Sequence, residues 1–258
     1  MQNSKDSQPV NKRKLKSFMY LNKDKSNEEL KIEIENLNRN KDSFSYNNRL
    51  FFELYNSNRI EGNSLTQIDT KLLLEDRILP EDQPYKDVVE TLNLNRAFKE
   101  FREFNEVSLD LILNIHKTLT MDVLNDLECG KIRTCPVYIQ GSEHVPPKAE
   151  EVEERLLNIV NDYNNSKKQL EDIFLFKLKF VAIHPFVDGN GRTSRILMNG
   201  LLENKRYPRL IITEKDRSFY YKYLEMATVE FKPDEWIRYC INLLLYTLTY
   251  LDSNEILS

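Results

Sequence analysis

His184-Pro185-Phe186-Val187-Asp188-Gly189-Asn190-Gly191-Arg192-Thr193-Ser194-Arg195 decides how this chain is read, together with residues 172–183 that run into it. Residues 172–183 are apolar around most of a helical circumference, the pattern of a helix buried on all sides. Pro185 disfavours helical geometry in the residue before it, so the helix ends near His184 and brings an imidazole to a loop. Phe186 anchors that loop to the core, and Gly189-Asn190-Gly191 permits close backbone approach and unusual dihedrals. A second helix starts there and carries Ile196, Leu197, Leu201 and Leu202. A glycine-bracketed turn at a helix N-terminus is an anion site: its N–H groups point outward and the helix dipole favours negative charge. Arg192 and Arg195, three residues apart, lie on one side of that helix. Guanidinium groups grip phosphate oxygens in bidentate fashion. Asp188 is a hard oxygen ligand beside the anion site, suited to Mg²⁺ that also binds phosphate oxygens. A base, a metal ligand, a phosphate nest and two arginines make a phosphoryl- or nucleotidyl-transfer site. Taken alone, His184 would read as a helix-end histidine and Asp188 as a cap. The stretch lacks the Gly-Lys-Ser/Thr of a Walker loop and the third glycine of a dinucleotide fingerprint.

Around this centre the chain reads as all-α. Its 258 residues are ample for one large core, and only six are glycine, which argues against a sandwich or barrel built on tight turns. Residues 1–26 read as a polar, mobile leader. Residues 27–75 read as a helical module and residues 76–258 as a catalytic core with C-terminal helices. The segment 28–37 fits an amphipathic helix, although its middle also alternates as a strand would. Ser45–Glu61 fits a helix that stops at Gly62-Asn63, and Thr66–Arg77 fits another. Further helical patterns cover 88–104, 109–119, 151–161, 218–229 and 235–250. Lys131–Pro147 differs: Ile132, Val137, Tyr138 and Ile139, a break at Gly141-Ser142 and a close at Pro146-Pro147 predict a short β-hairpin. His116 sits in an apolar helical pattern and reads as structural. His144, in the hairpin, reads equally as structural or as a target contact.

The formal net charge of −4 gives no basic field for nucleic acid. The basic run at residues 12–16 reads as a solvated tail. Three cysteines without metal spacing imply neither a disulfide framework nor a zinc knuckle. No apolar run is long enough to span a bilayer and the first residues form no signal region, so a cytoplasmic setting is expected.

The signature string resembles that of the Fic family, His-x-Phe-x-Asp/Glu-Gly-Asn-Gly-Arg-x-x-Arg, at every fixed position. The resemblance extends to residues 113–116, 130–133, 137–139 and 144–147. It implies a helical Fic fold around a central helix, with a β-hairpin flap at Val137, Tyr138, Ile139 and Gly141, where a target segment adds as an extra strand. It implies transfer of AMP from ATP to a Ser, Thr or Tyr hydroxyl of a target protein, possibly the enzyme itself. His184 would act as base and Asp188 would hold Mg²⁺. Gly189, Asn190, Gly191, Arg192 and Arg195 would bind the triphosphate. Residues 217–221 resemble the segment that helps form the adenine pocket, which assigns Tyr220 and Tyr221 to the nucleotide; Thr228 stands where family members often have Asn. Upstream, Ser57-Asn58-Arg59-Ile60-Glu61-Gly62 resembles the inhibitory pattern Ser/Thr-x-x-x-Glu-Gly/Asn, which implies that Glu61, aided by Ser57, sits against Arg195 and restrains the enzyme. The alternatives on this scaffold are transfer of another nucleotide or of phosphate, and removal of AMP from a target. A non-catalytic peptide-binding module is the rival from another class. The resemblance leaves the target and any homo-oligomer unspecified.

Overall fold

The computed structural model describes residues 15–39, 46–102, 104 and 106–250. Its elements are α1 (Leu15–Leu21), α2 (Asn27–Arg39), α3 (Tyr46–Ile60), α4 (Gln67–Lys71), α5 (Tyr85–Glu100), α6 (Leu109–Thr120), α7 (Ala149–Asn164), α8 (Leu170–Ile183), α9 (Asn190–Asn204), α10 (Arg217–Thr228) and α11 (Pro233–Tyr250). No strand occurs among the described residues. None of the helices described is long and apolar enough to cross a membrane.

The apolar circumference of α8 has the consequence its sequence predicts. Ile173, Phe174, Phe176, Leu178 and Phe180 are all buried, and the helix is enclosed by α7, α9, α10 and α11. The Trp236 indole N–H donates to the Phe174 carbonyl at 2.9 Å and ties α11 to this centre. The ambiguous segment 28–37 belongs to a helix, because Leu30 and Ile34, one turn apart, both point into the core. The segment 66–77 is divided. A capping box between Thr66 and Asp69 starts α4. A π-helical turn, Leu72–Asp76, follows and ends at Arg77 in the left-handed region.

Two expectations need correction. The leader does not extend to residue 26. Leu15 and Phe18 of α1 are buried against the core, and Arg238 of α11 donates to the carbonyls of Asn22 and Lys25. Leu15 and Phe18, one turn apart, suffice in a lysine-rich stretch because the pattern is helical. Residues 1–14 lie outside those described. The second correction concerns the hairpin. Residues 131–147 form an irregular strap with one tight turn, in which the Ser142 N–H donates to the Ile139 carbonyl at 3.1 Å. Pro136, Pro146 and Pro147 have no N–H to give a ladder. The strap is held from outside instead. The Arg133 guanidinium donates to the carbonyls of Cys135, Pro147 and His184 at 3.0, 2.6 and 2.8 Å. Glu225 of α10 accepts from the Ser142 hydroxyl and from the Glu143 N–H.

Candidate active site

α8 ends as Pro185 requires. His184 caps it with φ +50°, in the left-handed region that residues with a Cβ seldom enter. Its N–H still closes the helix on the Phe180 carbonyl at 3.1 Å, and its carbonyl accepts from Arg133. Strain held at one residue by such contacts is the kind that accumulates at functional sites. Burial depresses the imidazole pKa to about 4, with Arg133 and His144 adding to the effect against the Val181 carbonyl and Glu61. His184 is therefore neutral at pH 7, with a free lone pair. Its Nδ1 is buried without a well-aligned hydrogen bond.

The turn after it is braced from both sides. The Asn190 side chain accepts from the Phe186 N–H at 2.9 Å and donates to the Phe186 carbonyl at 2.8 Å. Phe186 stacks on His116 with ring centroids 3.7 Å apart. The Gly130 N–H donates to His116 Nδ1, which fixes the proton on Nε2, and Nε2–H donates to the Asp188 carbonyl, both at 3.0 Å. His116 is structural, as expected, and supports the loop directly. Gly189, at φ +78°, packs its Cα against His116 and Thr120, where a Cβ would crowd both.

Arg192 and Arg195 project from the first two turns of α9 and are buried. Arg192 meets Glu90 of α5 at 3.0 Å and Asp188 at 3.7 Å. Arg195 is claimed by the end of α3. Its Nε donates to the Ser57 hydroxyl at 2.8 Å and its Nη2 to the Ser57 carbonyl at 2.9 Å. Nη2 also pairs with the Glu61 carboxylate at 2.8 Å. Arg195 Nη1 has no hydrogen-bond partner. Burial opposes the Arg195 charge, but Glu61, together with Tyr220 and Tyr221, outweighs it and the guanidinium pKa is raised. The Glu61 carboxylate lies directly over Gly191, where any Cβ would strike it. One carboxylate thus covers both the glycine of the turn and the second arginine.

The remaining sites vary. Asp188 stands at the mouth with its side chain 48% exposed, accepting from the Gly189 N–H at 2.6 Å. Tyr221 is at the surface, with the Arg217 guanidinium over its ring. Tyr220, expected at the nucleotide, is 2% exposed, packed against Trp236 and Tyr239, and accepts from the fully buried Lys177 ammonium at 2.6 Å. Its apolar neighbours on α11 claim the ring. Thr228 spends its hydroxyl on the Leu224 carbonyl within α10. His144 Nε2–H donates to the Ala182 carbonyl, 2.8 Å away, and so holds the strap to α8. Val137, Tyr138, Ile139 and Gly141 lie on the strap, with Tyr138 89% exposed. Arg133, Glu90 and Lys177 escaped the sequence reading. Each is defined by a partner distant in the chain, and only the buried position of Lys177 within an apolar helix gave a local signal.

A neutral histidine beside a glycine turn that opens a helix with two buried arginines defines a class of anion-handling, all-helical domain. Residues 106–202, which hold all of these groups, match the model of the Fic/DOC family. Over these residues the chain carries a Fic domain. It is 35% identical over 187 residues to a protein adenylyltransferase Fic of Nematostella vectensis, covering 69% of this chain and 43% of that protein. The same protein of Drosophila grimshawi is 36% identical, covering 69% of this chain and 38% of that one. The chain therefore spans about two fifths of the length of these relatives. Among solved structures, Fic-1 of C. elegans superposes with a TM-score of 0.77 at 25% identity, over 86% of this chain and 69% of that one.

Proposed function

We propose that this chain transfers AMP from ATP to a hydroxyl side chain of a protein and is autoinhibited by Glu61. The observation that carries this reading is the Glu61 carboxylate seated on Arg195 over Gly191, an anion of the chain's own at the anion site, beside a neutral His184. In the uninhibited enzyme the triphosphate takes that place. The N–H groups opening α9, Arg192 and Arg195 hold it. The target oxygen attacks the α-phosphorus as His184 accepts its proton. An oxygen–phosphorus bond to the target forms, the bond from the α-phosphorus to the bridging oxygen breaks, and pyrophosphate leaves. The relatives' name, protein adenylyltransferase, supports AMP over other groups.

Mg²⁺ fits Asp188. A half-exposed carboxylate beside an anion nest is the donor set of a Mg²⁺ that keeps several waters and shares a phosphate ligand. Among the described residues no group of three or more His, Cys, Asp or Glu could hold a metal unaided. Mg²⁺ would offset phosphate charge there. Tyr221 and Arg217 are the aromatic and cationic groups at the surface near α10's start that suit a nucleoside. The target backbone would align along residues 137–141 of the strap. A cytoplasmic location agrees with the reduced cysteines at 129, 135 and 240.

The test uses a Glu61→Gly chain given ATP labelled on the α- or the γ-phosphate. AMP transfer predicts that protein retains the α-label and not the γ-label, and that adding His184→Ala removes it. Retention of the γ-label alone would mean phosphate transfer. ATP binding without either label would leave a non-catalytic module.

A further inference from the structure

Helix α3 is fastened to the core a second time, away from the nucleotide. Glu53 lies in α3 about two turns before Glu61, which directly follows the helix, so the two are about 12 Å apart along the axis at 1.5 Å per residue. Its carboxylate is buried and forked by the Arg209 guanidinium, through Nε and, at 3.1 Å, through Nη2. The side chains of both residues are only 4% exposed. Asn199 Nδ2 donates to the same carboxylate at 2.5 Å, and Asn199 is one turn beyond Arg195 on α9. So Arg195 receives Glu61 and Ser57, and the next turn of the same helix receives Glu53. α3 makes other polar contacts in this region, among them a buried bond from Asn58 Nδ2 to the Thr91 hydroxyl of α5 at 3.0 Å. Arg59 pairs with Glu214 at 2.7 Å, but the side chains are 29% and 40% exposed, which water and salt attenuate. Asn56 accepts from the Glu214 N–H at 2.9 Å.

We infer that Glu53 is a positioning residue that anchors α3 and thereby sets the strength with which Glu61 inhibits. The inference rests on reading Glu61 as the inhibitor. A triphosphate that displaces Glu61 from Arg195 has no reason to touch Arg209. With Glu53 still held, Glu61 stays within reach of Arg195 and returns as an intramolecular competitor at high effective concentration. Release of the anchor lets α3 move away, and the carboxylate then competes poorly although Glu61 itself is unchanged. Arg209 is retained in the fold without Glu53, because it also pairs with Glu203 at 2.6 Å and lies over the Phe98 ring.

The experiment measures α-labelled AMP on Glu53→Ala, Glu53→Gln, Glu61→Gly and the Glu53→Ala/Glu61→Gly double variant. Glu53→Ala should raise labelling about tenfold, equivalent to about 1.4 kcal/mol of lost docking. Glu53→Gln keeps an acceptor for Arg209 and Asn199 and should rise less. The double variant should match Glu61→Gly within about twofold, since one inhibitor cannot be released twice. Wild-type labelling by Glu53→Ala, with Glu61→Gly active, removes the anchor and leaves the inhibitory reading intact. A double variant much weaker than Glu61→Gly also overturns the anchor, because Glu53 is then needed for the site itself. An inert, folded Glu61→Gly overturns both. Hydrogen exchange on Glu53→Gln supplies a check that does not depend on turnover: α3 amides should exchange faster while α8 and α9 keep their rates, and equal loosening of all three contradicts the anchor.

Discussion

The base role proposed for His184 depends on an environment that keeps it neutral. Burial lowers its pKa from the ordinary 6.5 to about 4, and His116 is lowered to about 4 by burial as well. The sign follows directly. A chain that unfolds at pH 5 binds protons at both histidines that the folded chain refuses. Stability from these groups is complete above pH 6.5 and is lost as pH falls from 6.5 toward 4. Two such groups give a slope of up to about 2.7 kcal/mol per pH unit in that window. Denaturant titrations from pH 7 to 4.5 should show this decline, and His184→Ala should reduce its slope by about half. An unchanged slope would place His184 in a more exposed setting than the structure gives it. The transfer rate should likewise show no acid limb at pH 6.5. His116 cannot substitute as base, since both ring nitrogens are engaged by Gly130 and Asp188.

At the scale of elements, the strap and α3 face the site from different sides. The strap between Lys131 and Pro147 lacks a ladder, and the proposal has an incoming segment pair with its residues 137–141. Arg133, His144 and Glu225 fix its ends and its turn. Proline at Ile139 removes one N–H from that edge. In a Glu61→Gly background, Ile139→Pro should lower α-label transfer to lysate proteins about tenfold, the worth of one good hydrogen bond. The calorimetric dissociation constant for ATP should stay within about twofold. Equal loss of both would show that the strap supports the nucleotide site rather than the target. α3 acts through its last turns, where Ser57 and Glu61, four residues apart, converge on Arg195.

For the whole molecule, the centre was readable and the periphery less so. Periodicity located the helices because burial imposes it, and the all-round apolar pattern of α8 marked the middle of the fold. The glycine turn and its arginines were readable because their chemistry is local in sequence. The strap was not: Val137-Tyr138-Ile139 alternates as a strand does, yet what decides its conformation is where its hydrogen bonds go, and Arg133 and Glu225 take them from afar. α1 was hidden by its lysines, and its helicity rests on packing against α11. Tyr220 is assigned to the nucleotide by the resemblance of residues 217–221 to a family segment, whereas Lys177 and Trp236, on other helices, draw it into the core. Glu53 and Glu90 resemble any surface glutamate until Arg209 and Arg192 are seen beside them. What unites these parts in the proposed function is that Glu61 holds the arginine and the turn assigned there to a triphosphate. Misplacing a reacting atom by about an ångström lowers a rate on the order of a hundredfold. The most direct measurement is therefore self-modification with α-labelled ATP by the wild-type chain and by Glu61→Gly, with circular dichroism to establish that both are folded. Glu61→Gly should label on the order of a hundredfold faster than wild type; equal or slower labelling by a folded Glu61→Gly chain would contradict the account.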